Sequence, residues 1–291
     1  MKWRRGVGGN QIEDRRGAGG FGSGGRSGMS FPLPMGRAGG VGGIGIIIAL
    51  VVVVLQSGIL GGGGGGDGGG ATGLRPTGAP DPDAELADFV AFVVDDVQSE
   101  WTSILPEQTV QDYGATTLVL FDGGVQTGCG AADSSVGPFY CPLDSKVYLD
   151  LGFFRELHDR FGAPGDFAQA YVIAHEFGHH VQNLLGTNAR VRDEQQSRPD
   201  EANELSVRLE LQADCLAGVW AFTAYEDELL EAGDIEEGIA AAESVGDDRI
   251  QSQAGVEVSP ETWTHGSSQQ RVQWFRTGFE SGVVEICDTF S

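Results

Sequence analysis

One uncharged apolar stretch, Val41–Leu60, with glycine at nine of the next ten positions, limits what the first part of this chain can become. Its dense centre runs from Ile44 to Leu55. About 20 apolar residues, each rising about 1.5 Å, span the hydrocarbon core of a bilayer as a helix. The glycine tract that follows has no side chains to bury and a high chain entropy. Residues 61–83 therefore read as a flexible tether. Residues 1–40, also rich in glycine, read as a disordered basic tail. Folding is thereby confined to residues 84–291, which hold nearly all the aromatics, all five His and all four Cys. That length buries an adequate single core.

Charge orients this arrangement. The tail carries seven basic side chains (Lys2, Arg4, Arg5, Arg15, Arg16, Arg26, Arg37) against Glu13 and Asp14, while the whole chain has a formal net charge of −24. The remainder is strongly acidic. Such a domain lacks the clustered Lys and Arg that a phosphate backbone requires, so nucleic acid is excluded as a partner. By the positive-inside rule the tail stays cytoplasmic. Residues 41–60 then form a single membrane-spanning helix in the cytoplasmic membrane, with the acidic domain on the outer side. A cleaved secretory signal fits less well, because no small-x-small site follows the apolar run.

In the outer domain, Leu86, Phe89, Val90, Val93, Val94 and Val97 recur at helical spacing up to Pro106. Strand patterns follow at Thr117–Phe121 and Val125–Thr127, with Asp122-Gly123-Gly124 as a turn. Gly137–Cys141 and Lys146–Asp150 read as a hairpin. Helices are expected at Leu151–Phe161, Phe167–Leu185, Pro199–Tyr225 and Ser268–Phe279. The fold class is α+β, a small antiparallel sheet on a mainly helical body. On an oxidising side of the membrane the four Cys suggest disulfides, and the pairing that joins local elements is Cys129–Cys141 and Cys215–Cys287.

The chemistry lies in Ala174-His175-Glu176-Phe177-Gly178-His179-His180. On a helix His175 and His179 share a face, so both imidazoles reach one Zn²⁺. Glu176, one residue further round, reaches a water at the open position and acts as general base. Zinc needs a third protein ligand. Glu210 in Glu210-Leu211-Gln212-Ala213-Asp214 supplies it, with Asp214, one turn on, hydrogen-bonding the outer nitrogen of a ligand His. Glu204, Asp214 itself and His180 compete for the third position. The solvated-face reading of Glu210 and Asp214 is opposed by the apolar residues around them, Leu209, Leu211, Ala213 and Leu216. The extended HExxHxxGxxH pattern is absent, because Gln182 and Leu185 stand where its Gly and third His would be. His265 is either a donor to a developing oxyanion or part of the capping region of the last helix, where Ser267 and Ser268 fit. His158 reads as a surface residue.

His175-Glu176-Phe177-Gly178-His179-His180 together with Leu209-Glu210-Leu211-Gln212-Ala213-Asp214 resembles the gluzincin class of zinc peptidases. More closely, the chain resembles the neutral zinc metallopeptidase family of bacterial single-anchor proteins. The resemblance also rests on residues 136–154, Leu211–Gly218 and Thr264–Gly282. It implies a zincin-like peptidase domain, Zn²⁺ as cofactor and a protein or peptide substrate, with the ligand roles given above. It further implies that an extended substrate pairs with an edge strand at Gly137–Tyr140. Two other readings compete: a catalytically inactive binding module of the same fold, and a closed structural site with His180 or Cys215 as fourth ligand.

Overall fold

The computed structural model describes residues 1–6, 9–17 and 81–291. The expected membrane helix at 41–60, and most of the expected tail and tether, lie outside the described residues. Among the described residues no helix is long and apolar enough to cross a membrane.

The first helix, α1 (Ala84–Gln108), buries Phe89, Val90, Val93, Val94, Val97, Trp101, Ile104 and Leu105 along one stripe. This is the amphipathic face that the i, i+3, i+4 spacing dictates. It packs beneath a four-stranded sheet of β1 (Ile12–Asp14), β2 (Thr117–Phe121), β5 (Phe139–Cys141) and β6 (Lys146–Asp150), in the order β1-β2-β6-β5. A separate antiparallel ribbon, β3 (Gly124–Thr127) and β4 (Gly130–Asp133), is inserted between β2 and β5. The expected hairpin of β5 and β6 is present. The sheet as a whole is not antiparallel, however, because β2 pairs parallel with both β6 and β1. After the turn at Asp122-Gly123 the chain makes the β3–β4 ribbon instead of returning along β2, so β6 re-enters in the same direction as β2. The Cys129–Cys141 disulfide ties the ribbon's turn to β5.

The expectation of disorder in the tail is corrected for residues 1–6 and 9–17. The Met1 ammonium lies 2.6 Å from Asp166 Oδ1 and 3.2 Å from Asp234 Oδ2. Trp3 packs edge-on against Phe89. Gln98 Nε2 donates to Gln11 Oε1 at 2.9 Å, and Lys146 Nζ lies 2.8 Å from Glu13 Oε2. The physical reason is that β2 would otherwise be a bare edge, and β1 satisfies its ladder. Arg16 sits 3.1 Å from Asp81.

The helical body follows: α2 (Gly152–Asp159), α3 (Asp166–Leu184), α4 (Thr187–Ser197), α5 (Ala202–Glu226), α6 (Asp234–Ser244), α7 (Asp247–Gln253) and α8 (Ser268–Ser281). Helix α5 begins after a short 3₁₀ turn at Pro199–Glu201 rather than at Pro199. Two close approaches fix the centre of this body. A Cβ on Gly178 of α3 would lie 2.9 Å from Ala213 O of α5, and one on Gly278 of α8 would lie 1.9 Å from Cys215 O. Only hydrogen fits at either place, so α3 and α8 sit directly on the backbone of α5. The Cys215–Cys287 disulfide then fastens the C-terminal segment to the same helix. Ser267 caps α8 through a reciprocal capping box with Gln270.

Candidate active site

The contact at Gly178 brings together the helices that carry His175, His179 and Glu210. His175 Nε2 lies 3.1 Å from Glu210 Oε2, and His179 Nε2 lies 3.5 Å from Glu210 Oε1. His175 and Glu210 are buried, and His179 is slightly open to a cleft. Bonds of about 2.0–2.2 Å to a tetrahedral Zn²⁺ place the ligand atoms about 3.3 Å apart, so the donor set fits this ion. Of the sequence-predicted ligands the structure brings together His175, His179 and Glu210.

Hydrogen bonds on the outer side aim both imidazoles. His175 Nδ1 lies 2.9 Å from Asp214 Oδ1, and His179 Nδ1 lies 2.8 Å from Gln182 Oε1. Nδ1–H donation to these oxygens leaves each Nε2 lone pair facing Glu210. Asp214 is fully buried and also accepts from the Tyr171 hydroxyl and from both arms of Arg271, Nε and Nη2, each at 2.8 Å. Burial works to raise the Asp214 carboxyl, but Arg271 and His175 outweigh it and hold it below the ordinary value. Gln182 continues across to α5, donating to Leu209 O at 2.6 Å.

With only protein charges around it, burial lowers the His175 imidazolium, yet Asp214 and Glu210 prevail and push it up to about 10. Burial works to raise the Glu210 carboxyl, yet His179 and His175 hold it well below the usual range. The two imidazoles and the carboxylate thus face one another, and a divalent cation bound between them would compete with protons for the same atoms. Glu176, 8 % exposed, lines the same cleft, and burial pushes its carboxyl up.

The other expected contenders stand elsewhere. His180 turns away, with Nδ1 3.0 Å from the Tyr140 hydroxyl and Nε2 2.6 Å from Gly114 O. Cys215 is in a disulfide, and Glu204 pairs at the surface with Arg208. Neither proposed fourth ligand is therefore free to close the site. His158 is exposed beside Asp159. His265 reaches the cleft, its Nδ1 3.1 Å from Asp247 Oδ1. Asp247 Oδ2 accepts the backbone N–H groups of Thr264, His265 and Gly266 at 2.7–3.1 Å. One carboxylate therefore fixes both the loop and the imidazole. Burial lowers the His265 imidazolium, but Asp247 and Glu210 outweigh it and raise it.

Sequence reasoning missed Asp247, Gln182, Tyr171 and Arg271. Asp247 carried a faint signal, an Asp after Gly246 at the head of a short helix. The cleft has a volume of ≈ 250 Å³. Strand β5, at the end of the sheet order, forms one wall through Phe139 and Tyr140, and α4 contributes Asn188, Val191 and Arg192.

Residues 1–290 match the family described as "Putative neutral zinc metallopeptidase". The chain is 43 % identical over 291 residues to "Uncharacterized protein YpfJ" of Escherichia coli (strain K12), covering 100 % of this chain and 99 % of that protein. It is 48 % identical over 206 residues to "Uncharacterized protein Rv2575" of Mycobacterium tuberculosis (strain ATCC 25618 / H37Rv), covering 67 % of each. No solved structure matches. A donor set spaced for zinc, a buried carboxylate beside it and a match that runs the length of the sequence agree: the chain belongs to the neutral zinc metallopeptidase family.

Proposed function

We propose that this protein is a zinc-dependent peptidase that hydrolyses peptide bonds by general-base catalysis. The observation that carries the reading is the convergence of His175, His179 and Glu210 at ligand spacing, with Glu176 in the same cleft. These three side chains would hold Zn²⁺, which supplies Lewis acidity toward water and toward the scissile carbonyl. Glu176 takes a proton from the attacking water and passes it to the leaving amine as the C–N bond breaks. Burial raises its carboxyl, which makes the carboxylate a stronger proton acceptor than an exposed one. His265, oriented by Asp247, donates to the oxygen that gains negative charge. Asp214, held by Arg271 and Tyr171, keeps His175 turned toward Glu210.

The outer edge of β5 supports a substrate bound in extended form, by main-chain pairing along Phe139–Cys141. Pairing with the middle of a chain suits an endopeptidase. Two disulfides support an oxidising compartment outside the cytoplasm. A membrane anchor at 41–60 remains the reading of its composition. The docked N-terminal segment weighs against a cytoplasmic tail, since a single crossing would part Arg16 from Asp81.

The test pairs metal analysis with a quenched peptide library, comparing the wild type with Glu176→Gln. One zinc per chain is expected in both proteins, and a loss of cleavage of about 10²-fold or more in the variant. Bound zinc without Glu176-dependent cleavage of any peptide refutes the enzymatic reading.

A further inference from the structure

The cleft contains a cation that the reaction does not use. On α4, Asn188, Val191, Arg192 and Gln195 follow at i, i+3, i+4 and i+7 and all line the cleft with the metal-binding residues. Asn188 anchors this face beside the centre, its Nδ2 donating to His179 O at 3.2 Å. Its Oδ1, and the Nε of Arg192, are shielded from solvent and have no hydrogen-bond partner among the described residues. An acceptor and a donor thus stand unsatisfied one helical turn apart, at the wall of a substrate cleft. Buried polar groups in that condition cost stability unless a ligand completes them.

Charge balance makes the arginine more telling. The chain has 42 Asp and Glu against 18 Lys and Arg, so carboxylate partners are in excess. Arg271, in the same cleft, is gripped by Asp214. Arg192 has no such ion pair among the described residues. A planar guanidinium left unpaired in an acidic protein matches a carboxylate that comes from outside.

Resting on the peptidase reading above, we propose that Arg192 is a specificity residue whose guanidinium binds a carboxylate of the peptide substrate. The carboxylate belongs either to an acidic side chain near the scissile bond or to the substrate's C-terminus.

Zinc-loaded enzyme is assayed on two sets of matched quenched peptides. In one set Glu is exchanged for Gln at successive positions around the cleavage point. In the other a free C-terminus is exchanged for its amide. The carboxylate member is expected to be preferred by about 10- to 100-fold in kcat/KM, with the difference in KM, as a charge-assisted hydrogen bond delivers. The set that shows the preference identifies the source. Arg192→Gln brings the ratio close to one and Arg192→Lys restores part of it, with zinc content and melting temperature reporting on the fold. Equal rates within both sets for the wild type, or a preference that survives Arg192→Gln, overturn the proposal. If the wild type cleaves nothing, the peptidase reading fails first. Anisotropy titration of fluorescently labelled versions of the same peptide pairs against zinc-loaded Glu176→Gln protein then decides this point separately. The same ratio in Kd is expected, and equal Kd values or no binding overturn it.

Discussion

Gly178→Ala sets local preference against tertiary contact, and the contact should win. In an isolated helix the change favours α3 by about 1 kcal/mol, because alanine has the better helix propensity. In the protein the new Cβ would stand 2.9 Å from Ala213 O and 3.2 Å from Ala213 Cα. Ordinary carbon–oxygen contacts begin near about 3.3 Å, so α3 and α5 must part by about 0.4 Å. Both neighbours are backbone atoms and cannot rotate away. Overpacking of this kind costs about 1–3 kcal/mol, so the net effect on metal-free stability is small, about 0–2 kcal/mol of loss. The metal responds more sharply. His175 and His179 ride on α3 and Glu210 on α5, so the separation opens the Nε2-to-Oε distances. Metal–ligand distances tolerate only about 0.2 Å. Zinc affinity should therefore fall by about tenfold or more, comparable to loss of an outer hydrogen-bond partner. Competition with a chromophoric chelator measures the dissociation constant, and melting curves with and without zinc measure the stabilisation by metal. An unchanged dissociation constant would refute the claim that this glycine sets the ligand spacing.

Burial raises the Asp96 carboxyl to about 6, against the hydrogen bond from Trp220 Nε1 at 2.8 Å. The charge penalises the folded state above that pH and vanishes in both states below about pH 4, so stability from this group rises as the solution is acidified. Asp96→Asn, which keeps the acceptor, should stabilise by about 2 kcal/mol at pH 8 after allowance for partial exposure, and by no more than about 0.5 kcal/mol at pH 4. Denaturant titration of both proteins at the two pH values measures it, and equal differences at both refute it. His265→Ala should lower kcat by about 10²-fold with zinc content unchanged, and Asp247→Asn should have a smaller effect of the same kind. Unchanged turnover removes His265 from the reaction. Deleting residues 1–17 should lower the melting temperature and expose β2 to proteolysis, since Trp3 and β1 are lost together. An unchanged melting curve would show that the docked segment adds no stability.

The candidate metal site was legible because its parts are local. Four-residue spacing puts His175 and His179 on one face whatever surrounds them, and the apolar setting of Glu210 marks a helix that is buried where a solvated one would be polar. What was not legible depends on distant chain. Ile12–Asp14 is too short to show an alternating pattern, and its partner lies beyond the glycine-rich segment. Helix α4 is polar nearly all round, so its cleft face has no hydrophobic signature. The parallel pairing of β2 and β6 is set by the ribbon between them, and strand propensity says nothing about direction. Arg271 lies 57 residues from the Asp214 it grips, which no local motif encodes.

The seating of the N-terminal segment has a consequence for the order in which the molecule is assembled. Met1 and Asp234, which meet in the finished structure, are separated by 233 positions along the chain. Residues 1–17 are made before their partners and are thus among the last to find their places. Until Thr117–Phe121 is made, β1 has no strand to pair with, and until α6 exists the Met1 ammonium lacks one of its carboxylates. Contacts of such long reach slow folding, because a large loop must close before they are formed. Closure of this clasp is therefore a late event in folding, and it brings Arg16 to Asp81.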